Sequence, residues 1–176
     1  MESSRSELTG CNEVSRDATS QTTLTLIRIC ARLRPWVQGR MRRIRAEALD
    51  WLAEAEADLR HASHSYRLGS YNWACFAAEQ AAEKALKAFL IGISRKRLFY
   101  VHDLTALHRQ AVSTLRLPSV VTGRLAQLSA YYTASRYPNS GLRRPSISIT
   151  SAEARTAINV ARVVVKVVKR QFAKKG

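Results

Sequence analysis

The segment YNWACFAAEQAAEKALKAFL, residues 71–90, constrains the fold more than any other part of the chain. Seven of its twenty residues are alanine, which has the highest intrinsic helix propensity and lets neighbouring helix backbones approach closely. Four of its polar side chains share one helical face, and these are Gln80, Glu83, Lys84 and Lys87. The segment is therefore predicted to be the central helix of a bundle. From spacing alone, an ordinary solvated stripe is favoured over a functional site.

A first helix is predicted before this segment, from residue 42 onward. Its apolar residues recur at spacings of three and four, the period of an amphipathic helix, and they are Leu49, Leu52, Ala55, Leu59, Ala62 and Tyr66. Gly69 is typical of the position just after a helix end. The second helix is then expected to run from about Ser70 to Ile91, closing on Gly92.

Three further helices are predicted from their start signals. Asp103 is a suitable N-cap, and the helix that it starts is expected to reach about Leu115. Pro118 suits the first turn of a fourth helix, which ends before residue 138. Thr150 and Glu153 have the spacing of a capping box at the start of the last helix.

The remaining stretches give no convincing strand. Residues 139–148, NSGLRRPSIS, are predicted to form a polar loop. The valine-rich run 163–168 could suggest a strand, but its helical flanks and the upstream cap argue against one. The fold class predicted is therefore all-α: an up-and-down four-helix bundle with an additional short helix, five helices and no sheet.

Positive charge is concentrated in the predicted bundle. The chain of 176 residues carries a formal charge of +16, of which residues 1–40 contribute +2 and residues 41–176 contribute +14. Such an excess favours an anionic partner such as nucleic acid, a nucleotide or an acidic protein. Residues 1–22 are rich in Ser and Thr without helical periodicity, and we expect them to be disordered. We therefore predict a disordered or dispensable extension, 1–40, and a helical domain, 41–176, with translation starting at Met41 as a hypothesis.

Several classes of function are disfavoured by the composition. The three cysteines are widely spaced and form no CxxC pair, so we expect no disulfide framework, and a reducing, cytoplasmic setting follows. No apolar run is long enough to span a bilayer, and no membrane association is expected. His61 and His64 lie near Asp58 on the first helix, but no matching acidic pair completes a metal site. Neither a metal nor a cofactor is therefore predicted.

Three separate segments resemble the HEPN domain family. They are EQAAEKALKA at 79–88, HDL at 102–104 and RYP at 136–138, and the resemblance extends over roughly residues 45–170. It implies a helical bundle, in agreement with the periodicity, and assembly as a homodimer. It also implies nucleotide binding, as in some members, or a toxin–antitoxin pair with a small nucleotidyltransferase partner. Many toxin members are metal-independent ribonucleases with an Arg and a His four to six residues apart.

Two pairs in this chain match the spacing of that ribonuclease motif. Arg97 and Arg95 precede His102 with four and six residues between. Chemically, a histidine can move protons while an arginine stabilises charge on the phosphorane. In the toxin members, however, the motif lies later, near the position of RYP, and no histidine follows Arg136 here. A ribonuclease toxin using Arg97 or Arg136 with His102 is therefore the alternative, and enzymatic activity is not the leading prediction.

The leading hypothesis is a binding module for a nucleotide or RNA phosphate. The loop before Asp103 carries several cations ahead of a helix start, where unpaired N–H groups favour phosphate. The residues predicted to contact the anion are Arg95, Lys96, Arg97, His102 and Arg136, with Lys84 and Lys87 as secondary candidates. A purely structural dimerisation bundle remains a third possibility.

Overall fold

The first helix, α1, occupies residues 45–67 of the computed structural model, which describes residues 45–96 and 100–174. These residues belong to one unit, residues 44–176. Gly69 has a φ of 75°, a left-handed conformation that glycine adopts at no steric cost, and it ends the helix as predicted. Leu49, assigned to the apolar stripe by its spacing, is instead 42% exposed. The predicted extension, 1–40, lies outside the described residues, so its boundary stays a prediction.

The second helix, α2, is Tyr71–Gly92 and lies at the centre of the domain. All seven of its alanines are buried, and it packs against the last helix as well as the third and fifth. A Cβ atom added at Gly92 would lie 2.7 Å from Cε1 of Phe172 and 2.9 Å from Cβ of Ala48. The glycine therefore permits the end of α2 to contact both α1 and the last helix closely.

Three short helices follow α2. Helix α3 is Leu104–Ala111, and its start is capped as predicted, because the side chain of Asp103 accepts a hydrogen bond from the amide of Thr105 at 2.8 Å. The predicted fourth helix is divided into α4, Ser119–Thr122, and α5, Leu125–Ala134. At the division, the Arg124 amide donates to the Val121 carbonyl at 3.0 Å. This bond spans three residues rather than four and tightens the last turn of α4.

The final part of the domain contains one unexpected and one expected helix. Residues predicted to form only a polar loop include α6, Pro145–Ser148, with a buried proline at its first position, where the missing N–H costs no hydrogen bond. The last helix, α7, is Ser151–Lys174. Its capping box is confirmed, because the Thr150 amide donates to Oε2 of Glu153 at 2.8 Å and the Glu153 amide donates to Oγ1 of Thr150 at 3.3 Å.

The predicted all-α class is confirmed: the described part of the chain contains seven helical segments and no strand. Helices α1 and α7 run antiparallel, because Tyr66 near the end of α1 contacts Arg155 near the start of α7. Consistently, Glu56 further back on α1 contacts Lys169 near the end of α7. No helix among the described residues has the length and apolar character needed to cross a membrane.

Candidate functional site

One face of α2 carries three ionisable side chains into the interior of the domain. Glu79, Glu83 and Lys87 follow one another at intervals of four residues, and they are 0%, 4% and 3% exposed. The interpretation of this face as a solvated stripe is therefore wrong for Glu83 and Lys87. Removing such charges from water is costly unless they are paired, so their partners define the candidate site.

The first pair lies within α2. Nζ of Lys87 is 2.8 Å from Oε1 of Glu83, and it also lies 5.7 Å from the ring centroid of Trp51 on α1. The indole face adds a favourable cation–π contact to the ion pair. Lys87 is thus held between a carboxylate of α2 and an aromatic ring of α1, and its charge is compensated inside the domain.

The second carboxylate oxygen of Glu83 bonds a histidine from the loop before α3. Nδ1 of His102 lies 3.0 Å from Oε2 of Glu83, and the His102 side chain is 44% exposed. The proton shared with the carboxylate belongs on Nδ1, so a neutral ring presents Nε2 as an acceptor. Ser129 of α5 fixes the same loop, because its hydroxyl donates to the His102 carbonyl at 3.3 Å and accepts from the Leu104 amide at 3.2 Å.

Tyr132 of α5 brings His102 and Arg136 together. The His102 ring stacks on the Tyr132 ring with centroids 4.7 Å apart and planes 14° from parallel. The guanidinium carbon of Arg136 is also 4.7 Å from the Tyr132 centroid. Two of the predicted anion-binding residues, far apart in sequence, therefore contact one aromatic ring.

Arg136 is positioned by three aromatic rings and one backbone carbonyl. Its Cζ lies 4.5 Å from the Phe76 centroid and 5.0 Å from the Tyr137 centroid, and its Nε donates to the Tyr132 carbonyl at 2.8 Å. Within the described residues the guanidinium forms no salt bridge. A guanidinium fixed in this way presents its remaining N–H groups in the planar arrangement that binds a carboxylate or phosphate through paired bonds.

Glu79 is the fully buried member of the cluster and interacts electrostatically with Glu83, Lys87 and Arg136. Its pKa is raised from 4.5 to about 8, chiefly by burial and also by the nearby charge of Glu83, against the lowering effects of Gln80, Lys87 and Arg136. Nε2 of Gln80 donates to its Oε2 at 2.8 Å, while its Oε1 has no hydrogen-bond partner among the described residues. At neutral pH Glu79 is therefore mostly protonated and adds little negative charge to the site.

The other predicted site residues lie elsewhere or outside the described chain. Nζ of Lys84 is 2.7 Å from Oδ2 of Asp58 and 3.8 Å from Oε2 of Glu54, so this lysine joins α2 to α1. Lys96 donates to Oε1 of Gln110 at 2.9 Å, and no described contact connects it to the cluster. Arg95 has a left-handed backbone with φ of 58°. The remaining predicted residue, Arg97, lies outside the described residues.

Sequence reasoning missed Glu79 and two of the aromatic members of the cluster. Phe76 and Glu79 precede Glu83 at helical spacing and share a face of α2, and Tyr132, near the end of α5, precedes Arg136 by four residues, about one helical turn. This periodicity could have grouped the residues within each helix. It could not show that the two faces meet. Among the described residues, no group of three or more His, Cys, Asp or Glu side chains is arranged to hold a metal ion.

Comparison with known proteins identifies the family. The model of the HEPN domain matches residues 48–171. The chain belongs to the HEPN domain family. Each of the three segments that carry the resemblance contributes to the cluster. Residues 79–88 contribute Glu83 and Lys87, residues 102–104 contribute His102, and residues 136–138 contribute Arg136.

Solved structures of relatives agree with this assignment. TT1696 from Thermus thermophilus is 34% identical, with a TM-score of 0.63 over 70% of this chain and 96% of the relative. ST0689, an archaeal HEPN homologue, is 30% identical, with a TM-score of 0.59 over 71% of this chain and 97% of the relative. A HEPN domain protein from Thermotoga maritima, TM0613, is 27% identical, with a TM-score of 0.55 over 70% and 98% of the two chains. No curated protein matches the chain significantly.

Proposed function

We propose that this HEPN domain binds a nucleotide or an RNA phosphate at the cluster of His102, Tyr132 and Arg136. The observation that carries the proposal is the contact of both His102 and Arg136 with one tyrosine ring. A phosphate bound there would accept paired hydrogen bonds from the guanidinium and, when Nε2 of His102 carries a second proton, a further bond from that ring. Of the anion-binding residues predicted from the sequence, this proposal keeps His102 and Arg136.

The charges of the buried side chains Glu79, Glu83 and Lys87 favour binding of an anion beside Arg136. Glu83 is neutralised by Lys87 at 2.8 Å, and Glu79 is mostly protonated because burial raises its pKa to about 8. The guanidinium of Arg136 is therefore the dominant unpaired charge among the described members of the cluster. The adjacent Tyr137 is 53% exposed and offers a surface on which a base can stack, an interaction that tolerates any base.

The test compares variants at the cluster with one distant variant. Arg136→Ala and His102→Ala should each weaken the binding of ATP or a short single-stranded RNA about tenfold, because each removes a charge-assisted hydrogen bond. Arg136→Lys should restore little, because an ammonium group cannot reproduce the paired geometry. The matched control is Arg109→Ala, an exposed arginine on α3. Equal small losses for all four variants would indicate diffuse attraction by net charge and would contradict a site.

Two partners are proposed with this function. The family resemblance supports a homodimer and a small nucleotidyltransferase that acts together with the domain in a toxin–antitoxin pair. Light scattering should give about twice the chain mass of 19.7 kDa for a two-fold dimer. A nucleotidyltransferase gene beside the gene for this chain, followed by copurification of the two proteins, would support the second partner. A monomeric mass would contradict the homodimer. Separate elution of the two proteins would contradict the nucleotidyltransferase partner.

The second candidate function is a metal-independent ribonuclease, and the Glu83–His102 contact favours it. A carboxylate bonded to Nδ1 orients the ring, so Nε2 can take the proton of an RNA 2′-hydroxyl as that oxygen attacks phosphorus. Arg136 stabilises the phosphorane, and as the bond from phosphorus to the 5′-oxygen breaks, Nε2 of His102 returns its proton to that oxygen. The products are a 2′,3′-cyclic phosphate and a free 5′-hydroxyl, and the ring is neutral again. RNA cleavage in the presence of EDTA, abolished by His102→Ala, would support this activity. Absence of cleavage by the intact protein would leave phosphate binding as the function.

A further inference from the structure

A groove on another part of the surface, between α1 and α7, has a volume of about 990 Å³. It shares no residue with the His102–Arg136 cluster and is accounted for neither by the family resemblance nor by the proposed function. Its lining combines an apolar floor with two basic edges. The basic residues are Arg60 and Arg67 on α1, and Arg155, Arg162, Lys166 and Lys169 on α7.

The floor of the groove is apolar. It is formed by Leu59 of α1 with Ile158 and Val165 of α7, and the two α7 residues lie seven positions apart on the same helical face. Tyr66 also lines the groove. Ile158 and Val165 are 5% and 4% exposed, so the apolar surface that a ligand can cover here is small and belongs mainly to Leu59 and Tyr66, which are partly buried. A ligand with an apolar face would bury this remaining surface, whereas a purely charged ligand would leave it in water.

The two edges carry cations at regular helical intervals. Arg60 and Arg67 are seven residues apart, as are Arg155 and Arg162, a separation of about 10.5 Å along each helix axis. Because α1 and α7 are antiparallel, these rows flank the floor from both sides. From residue 155 to residue 169 the α7 edge is about 21 Å long.

Carboxylates of the described residues compensate little of this charge. The only acidic residue in the described lining is Glu56, and it pairs with Lys169. Arg155 instead donates from Nη2 and Nε to the Tyr66 hydroxyl at 2.7 and 3.1 Å, and Arg162 donates to the Asn159 amide oxygen at 2.7 Å. Both guanidinium groups are thus oriented by neutral partners and keep their full charge for an external anion.

We propose that this groove docks an amphipathic α-helix of a partner protein, with an apolar stripe on the floor and acidic side chains against both basic edges. An amphipathic helix in an apolar groove is a recurring mode of protein recognition, and here the edges specify the charge of the partner. The length of the α7 edge fits about 14 helical residues of the partner.

The same features disfavour two other occupants. A nucleic acid strand would pair its phosphates with the edges, but its bases stack on aromatic rings, whereas the floor between the edges is aliphatic at Leu59, Ile158 and Val165. A second copy of this chain docked through the same groove would place its own arginines against these arginines, and like charges in an interface are repulsive. An acidic amphipathic helix would cover the apolar floor and pair its carboxylates with the basic edges.

The proposal can be tested with synthetic peptides of about 18 residues, or five helical turns. The first peptide carries leucine at the a and d positions and glutamate on both flanks. A second peptide keeps every glutamate but replaces the leucines by serine, and a third keeps the leucines but replaces glutamate by glutamine. Fluorescence anisotropy at physiological salt should show binding about tenfold tighter for the first peptide than for either control. Equal binding of the first and second peptides would overturn the proposal, because charge alone would then suffice.

Variants of the protein locate the bound peptide. Arg155→Glu and Arg162→Glu should each weaken binding of the first peptide by at least about tenfold, while the exposed arginine on α3, changed by Arg109→Glu, serves as the matched control. If charge reversal disturbs the helical circular dichroism spectrum, Arg162→Gln keeps the test valid because it removes a charge without adding one. An equal loss in the Arg109→Glu variant would overturn the assignment to the groove.

Three further outcomes distinguish an acidic helix from a different ligand in the groove. Arg136→Ala should leave peptide binding unchanged, so a failure of the proposed phosphate site is distinguishable from a failure of the groove. A single-stranded RNA of about 12 nucleotides that displaced the first peptide at equal or lower concentration would overturn the proposal in favour of nucleic acid. Loss of a dimer by Arg162→Glu in light scattering would overturn it in favour of a second copy.

Discussion

The imidazole Nδ1 of His102 lies 3.0 Å from Oε2 of Glu83, so an exposed ring is bonded to a carboxylate that is almost completely buried. The same carboxylate bonds the buried ammonium group of Lys87. Glu83 therefore connects the interior of the bundle to the surface on which Arg136 is presented. A change at Glu83 or Lys87 should act on both stability and site geometry, because neither side chain can move into solvent without disrupting the packing of α2.

We expect Lys87→Met to be strongly destabilising. It leaves Glu83 buried with only His102 as a partner, and breaking a buried ion pair by removing one charge typically costs about 3–5 kcal/mol. The matched control is Lys84→Met, three residues earlier on α2. Lys84 pairs with Asp58, and both side chains are 24% exposed, so water screens this pair in part and the loss of Lys84 should cost less than the loss of Lys87. Urea unfolding of the two variants measures the difference, and similar free energies of unfolding would show that the Glu83–Lys87 pair is not effectively buried.

Substitution of Gly92 should show how closely α2 contacts its neighbours. In Gly92→Ala the new Cβ would meet Cε1 of Phe172 at 2.7 Å and Cβ of Ala48 at 2.9 Å, and overpacking of this kind costs about 1–3 kcal/mol. This cost should outweigh the higher helix propensity of alanine. Thermal unfolding should show a lower melting temperature, and Phe172→Leu in the Gly92→Ala background should recover part of it.

The control for that substitution is Gly123→Ala. A Cβ at Gly123 would approach only the Ser119 carbonyl oxygen, at 3.4 Å, and the residue has a φ of −64°, which alanine adopts readily. Replacing such a glycine typically stabilises by about 0.4–1 kcal/mol through the unfolded state. If both glycine variants were stabilised, the convergence of α1, α2 and α7 at Gly92 would be contradicted.

The capping box at the start of α7 should contribute measurably to stability. Thr150→Ala removes the hydroxyl that accepts from the Glu153 amide and donates to Oε2 of Glu153 at 2.7 Å, at an expected cost of about 0.5–2 kcal/mol. Thr156→Ala is the control, because the bond that its hydroxyl forms within the described residues goes to the Ala152 carbonyl one turn back, and alanine is the better helix former. Urea unfolding should therefore show a loss for the first variant and no loss for the second.

The helices could be predicted from the sequence because their signals are local. Alanine content and periodicity predicted α2, Asp103 predicted the start of α3, and the Thr150–Glu153 spacing predicted the start of α7. The tight turn at Arg124 and the short helix α6 were missed, because one backbone bond spanning three residues, or one buried proline, leaves no periodic pattern.

The candidate site was predictable only in part. Helical spacing correctly placed Glu83 and Lys87 on one face of α2, but it gave no information about what packs against that face. The contact of His102 and Arg136 with Tyr132 depends on the packing of α2, α5 and the loop before α3. Such tertiary contacts cannot be inferred from spacing within one helix. The family resemblance identified the three segments, and the structure shows that they meet through the contacts of His102 with Glu83 and of His102 and Arg136 with Tyr132.

Glu79 should make the stability of the domain depend on pH in a direction opposite to that of most carboxylates. Burial raises its pKa from 4.5 to about 8, so the folded protein keeps a proton that the unfolded chain releases above pH 4.5. The unfolded state therefore binds fewer protons between about pH 4.5 and 8. The contribution of Glu79 to the free energy of unfolding is fully present below pH 4.5, falls as pH rises through this window, and is constant above it.

Glu79→Gln should remove that dependence, because an amide resembles the protonated carboxyl group and cannot ionise. Below pH 4.5 the variant and the parent protein should differ by less than about 1 kcal/mol. As pH rises towards 8, the variant should become the more stable of the two by a few kcal/mol. The measurement is urea unfolding of both proteins at intervals across the window, with Glu54→Gln as the control for loss of a carboxylate at the surface, since the Glu54 side chain is 68% exposed. Two outcomes would contradict this prediction: a constant difference between parent and variant across the window, or a parent that gains stability relative to the variant as pH rises. Either would show that Glu79 is ionised in the folded domain and that the buried side chains near Arg136 carry a net negative charge.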